Sequence, residues 1–226
     1  MKYRKIVLFI LVSFFCFNVY ADEYDGFVTI EDNTYYYKDG EKLTGVHNIN
    51  NNYYYFDEEG VLQRGVEKGD YYYGRISGTR QYNYIWDKDQ DGIYDNYFDS
   101  DGKKVYSIWL DIDQDEKDDY YFNEEGNAVN GVQEIDGKYY YFINNIKQYQ
   151  TTDGTYYYGR ISGTRQYDYW WDKDQDGKND YYFDKSGKIV DGVQKINGKY
   201  YYFIDNKMQY QATDGTYYYG RISGTR

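Results

Sequence analysis

Three acidic stretches carry the densest chemistry in the sequence: DKDQDGIYD at 87–95, DIDQDEKDD at 111–119 and DKDQDGKND at 172–180. Their first, third and fifth places are Asp87, Asp89 and Asp91, then Asp111, Asp113 and Asp115, then Asp172, Asp174 and Asp176. Carboxylates at that spacing can surround a hard cation with oxygen, and Gly92 and Gly177 at the sixth place allow the sharp bend such a loop needs. Asp95, Asp119 and Asp180 at the ninth place can add a ligand directly or through water. The ion this chemistry suits is calcium. Position twelve is Phe98, Phe122 and Phe183, where an EF-hand carries a bidentate Glu, and no helical pattern flanks the loops, so they are not EF-hands. The competing reading is a solvated acidic turn joining Trp86, Trp109 or Trp171 to the next aromatic strand. Like charges crowded into nine residues repel, and a cation relieves that cost.

Arginine is the second candidate. Arg75 with Arg80, Arg160 with Arg165, and Arg221 with Arg226 make up six of the eight arginines. Such pairs can clamp phosphate or carboxylate groups of an acidic polymer, or neutralise the acidic loop that begins seven residues after Arg80 and Arg165. Trp86, Trp109, Trp170 and Trp171 could offer stacking platforms to sugar rings, or pack between elements of the fold. Catalysis is not expected. A glycosidase needs two carboxylates in one asymmetric cleft, whereas these lie in repeated turns. His47 is the only histidine, which leaves no basis for a Ser-His-Asp arrangement.

The elements that must position these residues are repeats. YYYGRISGTR occurs at 71–80, 156–165 and 217–226, and GVQEIDGKYYYFINN from Gly131 returns as GVQKINGKYYYFIDN from Gly192. A shorter period of about twenty residues runs beneath, from Gly45-Val46 to Gly65-Val66. Runs of tyrosine favour strands, acidic-Gly pairs such as Glu59-Gly60 and Glu125-Gly126 supply turns, and no stretch has a helical period. The expected class is all-β, a solenoid of roughly ten tandem hairpins. A single hairpin cannot bury both faces, so each must stack on the next, and 37 Tyr and 11 Phe must form the core.

GVHNINNNYYYFDEEGVLQRG (45–65), GVQEIDGKYYYF (131–142) and GVQKINGKYYYF (192–203) resemble the cell-wall-binding repeats, a family that includes choline-binding modules, glucan-binding repeats and clostridial toxin repeats. The resemblance implies hairpins arranged as a superhelix, with ligands held between successive hairpins. Choline-binding repeats usually place Trp after the repeat Gly, where it helps cage a quaternary ammonium. Here that place is Val46, Val66, Val132 and Val193, which weakens a choline cage and leaves a sugar polymer as the better fit.

Residues 1–21 read as an export signal, with Lys2, Arg4 and Lys5 before an apolar stretch and Ala21 at the cleavage point; 22–44 reads as a degenerate capping hairpin and 45–226 as the repeats. The mature chain has no cysteine, Cys16 leaving with the signal, and its net charge falls from −12 to about −15 when the three signal cations go. That charge argues against nucleic acid, and no membrane insertion is expected after cleavage. The expected protein is secreted or held at the cell surface. It binds cell-wall or surface polysaccharide without catalysis, the alternative being a structural adhesin or stalk that binds proteins; the oligomeric state is open.

Overall fold

A computed structural model describes residues 25–226, so the signal read at 1–21 and the first residues of the 22–44 segment lie outside the described residues. The chain forms two compact units, one ending at Tyr82 and the other running from Asn83 to Arg226. All regular structure among the described residues is β, in ten small antiparallel sheets whose paired strands are neighbours in sequence. The all-β tandem-hairpin class expected from the repeats is the class observed.

In the first unit Gly26–Ile30, Asn33–Lys38 and Glu41–Lys42 form a three-stranded sheet, followed by the hairpins Gly45–Ile49 with Asn52–Phe56 and Val66–Lys68 with Tyr71–Tyr73. The second unit contains two main kinds of hairpin. One kind is closed by an acidic loop: Tyr84–Trp86 with Asn96–Phe98, Ile108–Leu110 with Tyr120–Phe122, and Tyr169–Trp171 with Tyr181–Phe183. The other is longer and has a third strand: Gly131–Ile135, Lys138–Ile143 and Ile146–Lys147, repeated as Gly192–Ile196, Lys199–Ile204 and Lys207–Met208. Short pairs, Thr151–Thr152 with Tyr157–Tyr158 and Ala212–Thr213 with Tyr218–Tyr219, complete the set.

The register explains the repeat glycine. Gly45, Gly131 and Gly192 stand opposite Phe56, Phe142 and Phe203. Each begins its strand at positive φ (81°, 70° and 70°), with nothing near a would-be Cβ, so backbone conformation rather than space demands glycine there. The opposing Phe side chains are almost fully buried. The residue after the glycine, Val46, Val132 or Val193, lies on the exposed face opposite Tyr55, Tyr141 or Tyr202.

The core is serial, as a thin aromatic repeat requires. Ile49, Phe56 and Leu62 form one cluster; Val129, Ile135 and Phe142 another; Val190, Ile196, Phe203, Met208 and Tyr182 a third. Backbone bonds tie hairpin to hairpin within a unit: Leu62 N donates to Thr34 O (2.7 Å), Lys147 N to Asp119 O (2.7 Å), Ile189 N to Thr155 O (2.8 Å) and Met208 N to Asp180 O (2.7 Å). Each hairpin therefore completes its neighbour's hydrogen bonding as well as its core.

Candidate functional site

The acidic loops are built by their own first and last aspartates. Each loop closes its hairpin through the ninth residue, with Asp95 N, Asp119 N and Asp180 N donating to the carbonyls of Trp86, Leu110 and Trp171 (2.8 Å each). The first carboxylate then gathers amides from the turn. Asp87 accepts from Gln90 N (2.6 Å) and Gly92 N (2.9 Å), Asp111 from Gln114 N (2.7 Å) and Glu116 N (2.9 Å), and Asp172 from Gly177 N (2.8 Å). The ninth carboxylate accepts from the second amide: Lys88 N to Asp95 (2.7 Å), Ile112 N to Asp119 (2.8 Å) and Lys173 N to Asp180 (2.9 Å).

This folding converges three carboxylates in each loop, Asp87, Asp89 and Asp95, then Asp111, Asp113 and Asp115, then Asp172, Asp174 and Asp180, with one oxygen from each within 4.8 Å of the others. Oxygens that ligate one calcium ion at 2.3–2.6 Å lie at most about 5 Å apart, so an all-oxygen set at this spacing fits a hard cation. Asp91 and Asp176 fall outside the groups and accept from Ile93 N and Lys178 N instead (2.7 and 2.8 Å). In the middle loop Asp119 is outside, and Asp115 meets Lys117 Nζ at 3.1 Å, which holds its carboxyl below the usual range.

The second arginine of each pair sits between tyrosines. The Arg80 guanidinium is 4.2 Å from the Tyr53 ring centre and 3.6 Å from that of Tyr71. Arg165 lies 4.1 Å from Tyr139 and 3.5 Å from Tyr156, and Arg226 lies 4.3 Å from Tyr200 and 3.6 Å from Tyr217. The backbone delivers them there, since Arg80 N, Arg165 N and Arg226 N donate to the carbonyls of Tyr53, Tyr139 and Tyr200 (2.8, 2.8 and 3.0 Å). One tyrosine belongs to the preceding hairpin and one to the arginine's own repeat, so the cation clamps successive hairpins. The first arginines are placed differently: the stem of Arg75 lies against Gly65, and Arg160 lines an open groove.

The tryptophans divide likewise. Trp86 and Trp171 are 4% and 6% exposed, so neither offers an open face to a ligand. Trp109 and Trp170 are half-buried and meet tilted rings in matching ways, Trp109 with Tyr121 and Tyr140 (4.8 and 4.7 Å between centres) and Trp170 with Tyr182 and Tyr201 (4.6 and 4.8 Å).

Two features are absent from the sequence-derived candidates. Lys147 is only 6% exposed, and its ammonium lies 4.5 Å from the Trp109 ring centre, 4.9 Å from Tyr149, 5.0 Å from Tyr140 and 3.5 Å from Asp118 Oδ2. Burial lowers its pKa, opposed by Asp118; burial, with Asp118 adding to it, raises that of Tyr149. The second feature is Ile76, Ile161 and Ile222, which the RISGT loops leave 94%, 87% and 88% exposed. Three copies of one loop raising the same apolar residue was visible in the repeat itself; the lysine's surroundings were not.

Open grooves run beside these features in the second unit. One of about 490 Å³ is lined by Asp115, Glu116, Lys117, Tyr149, Gln150, Arg160 and Ile161. Another of about 310 Å³ lies among Asn83, Ile85, Tyr97, Leu110, Asp111, Ile112 and Gln114.

No family model matches the chain. Glucosyltransferase-S of Streptococcus mutans serotype c is 28% identical over 215 residues, covering 88% of this chain but only 13% of that enzyme's length. Among solved structures, the choline-binding domain of CbpL from Streptococcus pneumoniae superposes with a TM-score of 0.60 at 21% identity, over 81% of this chain and 97% of that one. Choline binding protein F of the same species covers 89% and 92% at 19% identity, with a TM-score of 0.44. The chain thus shares its hairpin-repeat fold with that CbpL domain.

Proposed function

We propose that the protein is a secreted, non-catalytic binder of cell-wall or surface polysaccharide whose acidic loops are stiffened by calcium. The observation that carries this reading is the groove beside the 111–119 loop, where Tyr149 and Ile161 offer apolar faces and Glu116, Gln150 and Arg160 offer hydrogen-bonding groups to one elongated ligand. Sugars present that mixture of apolar ring faces and hydroxyls. Support for the ligand class comes from the hairpin-repeat fold and from the glucosyltransferase and choline-binding proteins that the chain resembles. Co-sedimentation with purified cell-wall polysaccharide and with α-glucan, competed by free oligosaccharide, tests it. A Gln150→Ala, Arg160→Ala variant should bind about ten-fold more weakly, and wild-type protein that sediments with neither polymer overturns the reading.

Calcium is tested by melting. Asp87, Asp89 and Asp95, with their counterparts in the other loops, would hold the ion, and binding to the folded state alone must raise stability. The melting temperature should fall when EGTA is added to calcium-loaded protein, and an unchanged value sinks the proposal.

A second reading, an adhesin that binds protein partners, is favoured by Ile76, Ile161 and Ile222. An isoleucine left almost fully in water in three identical loops contributes nothing to folding, but suits an apolar partner surface. Replacing Ile76 and Ile222 by Ser, with the groove residue Ile161 left in place, should weaken protein capture at least several-fold and leave polysaccharide binding unchanged.

A further inference from the structure

The surroundings of Lys147 are those of a receptor for an organic cation. Rings from three different segments, Trp109, Tyr140 and Tyr149, stand within 5.0 Å of one buried ammonium, and the Asp118 carboxylate is at 3.5 Å. Aromatic walls with a carboxylate beside them attract quaternary ammonium ions by the same force that holds this lysine. Tyr149 is fixed in the wall by its hydroxyl, which donates to Asp118 O at 2.9 Å.

The chain contains its own control. One repeat later, Trp170, Tyr201 and Tyr210 replace Trp109, Tyr140 and Tyr149, and the Tyr210 hydroxyl donates to Asn179 O at the same 2.9 Å. The buried residue there is Met208, packed in the same cluster. Both plugs reach the same place, since Lys147 Cε and Met208 Cε are the atoms nearest to a Cβ built on Gly163 and on Gly224, equivalent glycines of the last two of the three SGTR segments. The residue beside the plug changes with it, being Asp118 where the plug is cationic and Asn179 where it is neutral. A charged plug with a carboxylate, and an apolar plug with an amide, are two ways to fill one cage.

We propose that Lys147 is a specificity-determining residue that closes an aromatic cation cage with the chain's own ammonium, excluding quaternary ammonium ligands that the emptied cage would accept. This goes beyond the polysaccharide reading and does not depend on it. Val132 lies on the exposed face, whereas the residue that occupies the cage is on the third strand, Ile146–Lys147.

The test titrates tetramethylammonium chloride, with sodium chloride as the ionic control, into the full chain, following the indole N–H resonance of Trp109 assigned with a Trp109→Phe variant. Lys147→Ala should bind saturably and about ten-fold or more tighter than wild type, because desolvated cation–ring contacts then go to the ligand. The Lys147→Met, Asp118→Asn variant, which copies the later repeat, should fold and bind no better than wild type. A folded Lys147→Ala protein with no saturable shift overturns the proposal. So does wild-type protein that binds as tightly as the variant, or a Met-plugged variant that binds as Lys147→Ala does. If Lys147→Ala does not fold, Lys147→Val, which places a strand-favouring β-branched residue there, takes its place under the same criteria.

Discussion

The hairpin that carries Lys147 and the hairpin that carries Met208 share their strand lengths, their pairing register and their aromatic frame, yet one buries a charge where the other buries a thioether. The 35-residue stretches beginning at Gly131 and Gly192 differ at six positions, of which this is one. The frame is therefore not specified by the plug. It is set by the aromatic rings, the glycine opposite the buried Phe, and the backbone bond from the plug residue to the acidic loop, which Lys147 N and Met208 N make alike at 2.7 Å. The loop residue beside the plug, Asp118 or Asn179, differs between the two copies as well.

Removing the shared frame should erase the difference. Phe142→Ala and Phe203→Ala each empty an almost fully buried site, and each should cost about 3–5 kcal/mol with closely similar values, because their surroundings are alike. Paired urea melts followed by tryptophan fluorescence check this. A large inequality would mean that the plug's own packing, such as that of Met208 in the Phe203 cluster, outweighs the shared frame.

Moving the charge alone should break the comparison next. Met208→Lys places an ammonium in a cage whose neighbour is Asn179, and burying a cation without its carboxylate should cost about 2–3 kcal/mol. Adding Asn179→Asp should restore at least about 1 kcal/mol of that, measured as a double-mutant coupling. Additive effects would show that the Asp118–Lys147 pairing is incidental.

Much of this architecture was legible before any coordinates. Hairpins, their glycines and the acidic loops follow from local rules, since strand alternation, positive φ and the crowding of carboxylates each act within about ten residues. Lys147 was illegible for the opposite reason. It lies on a two-residue strand, and the groups that define it, Trp109 and Asp118, are 38 and 29 residues away in sequence. The arginines fall between. Their repetition drew attention, but a pair such as Arg160 and Arg165 gives no sign that one guanidinium will face a groove and the other two tyrosines.

That arginine clamp offers a smaller test, because both copies have it. Arg165→Ala and Arg226→Ala should each lose about 1–2 kcal/mol through lost ring contacts, and lysine should rescue only part, since a compact ammonium cannot cover two ring faces as a planar guanidinium does. Hydrogen exchange at the Arg165 amide, bonded to Tyr139 O, reports the clamp locally. Full rescue by lysine would reduce the clamp to simple charge.

The smallest effect lies in the loops before the two hairpins. At the sixth position Gly177 takes φ 85°, whereas Glu116 takes φ 69°, a left-handed conformation that a side chain with a Cβ adopts at a cost. The amide is needed there in both loops, because Glu116 N donates to Asp111 and Gly177 N to Asp172. Glu116→Gly should therefore stabilise the second unit by about 0.5–1 kcal/mol, and Gly177→Glu should destabilise it by a similar amount. The Glu116 variant also loses one negative charge from a crowded loop, which adds to the gain at low salt and is screened at high salt. Melting at both ionic strengths separates the two contributions: the part that survives in high salt is the backbone strain, and its absence would mean that the loop holds Glu116 without cost.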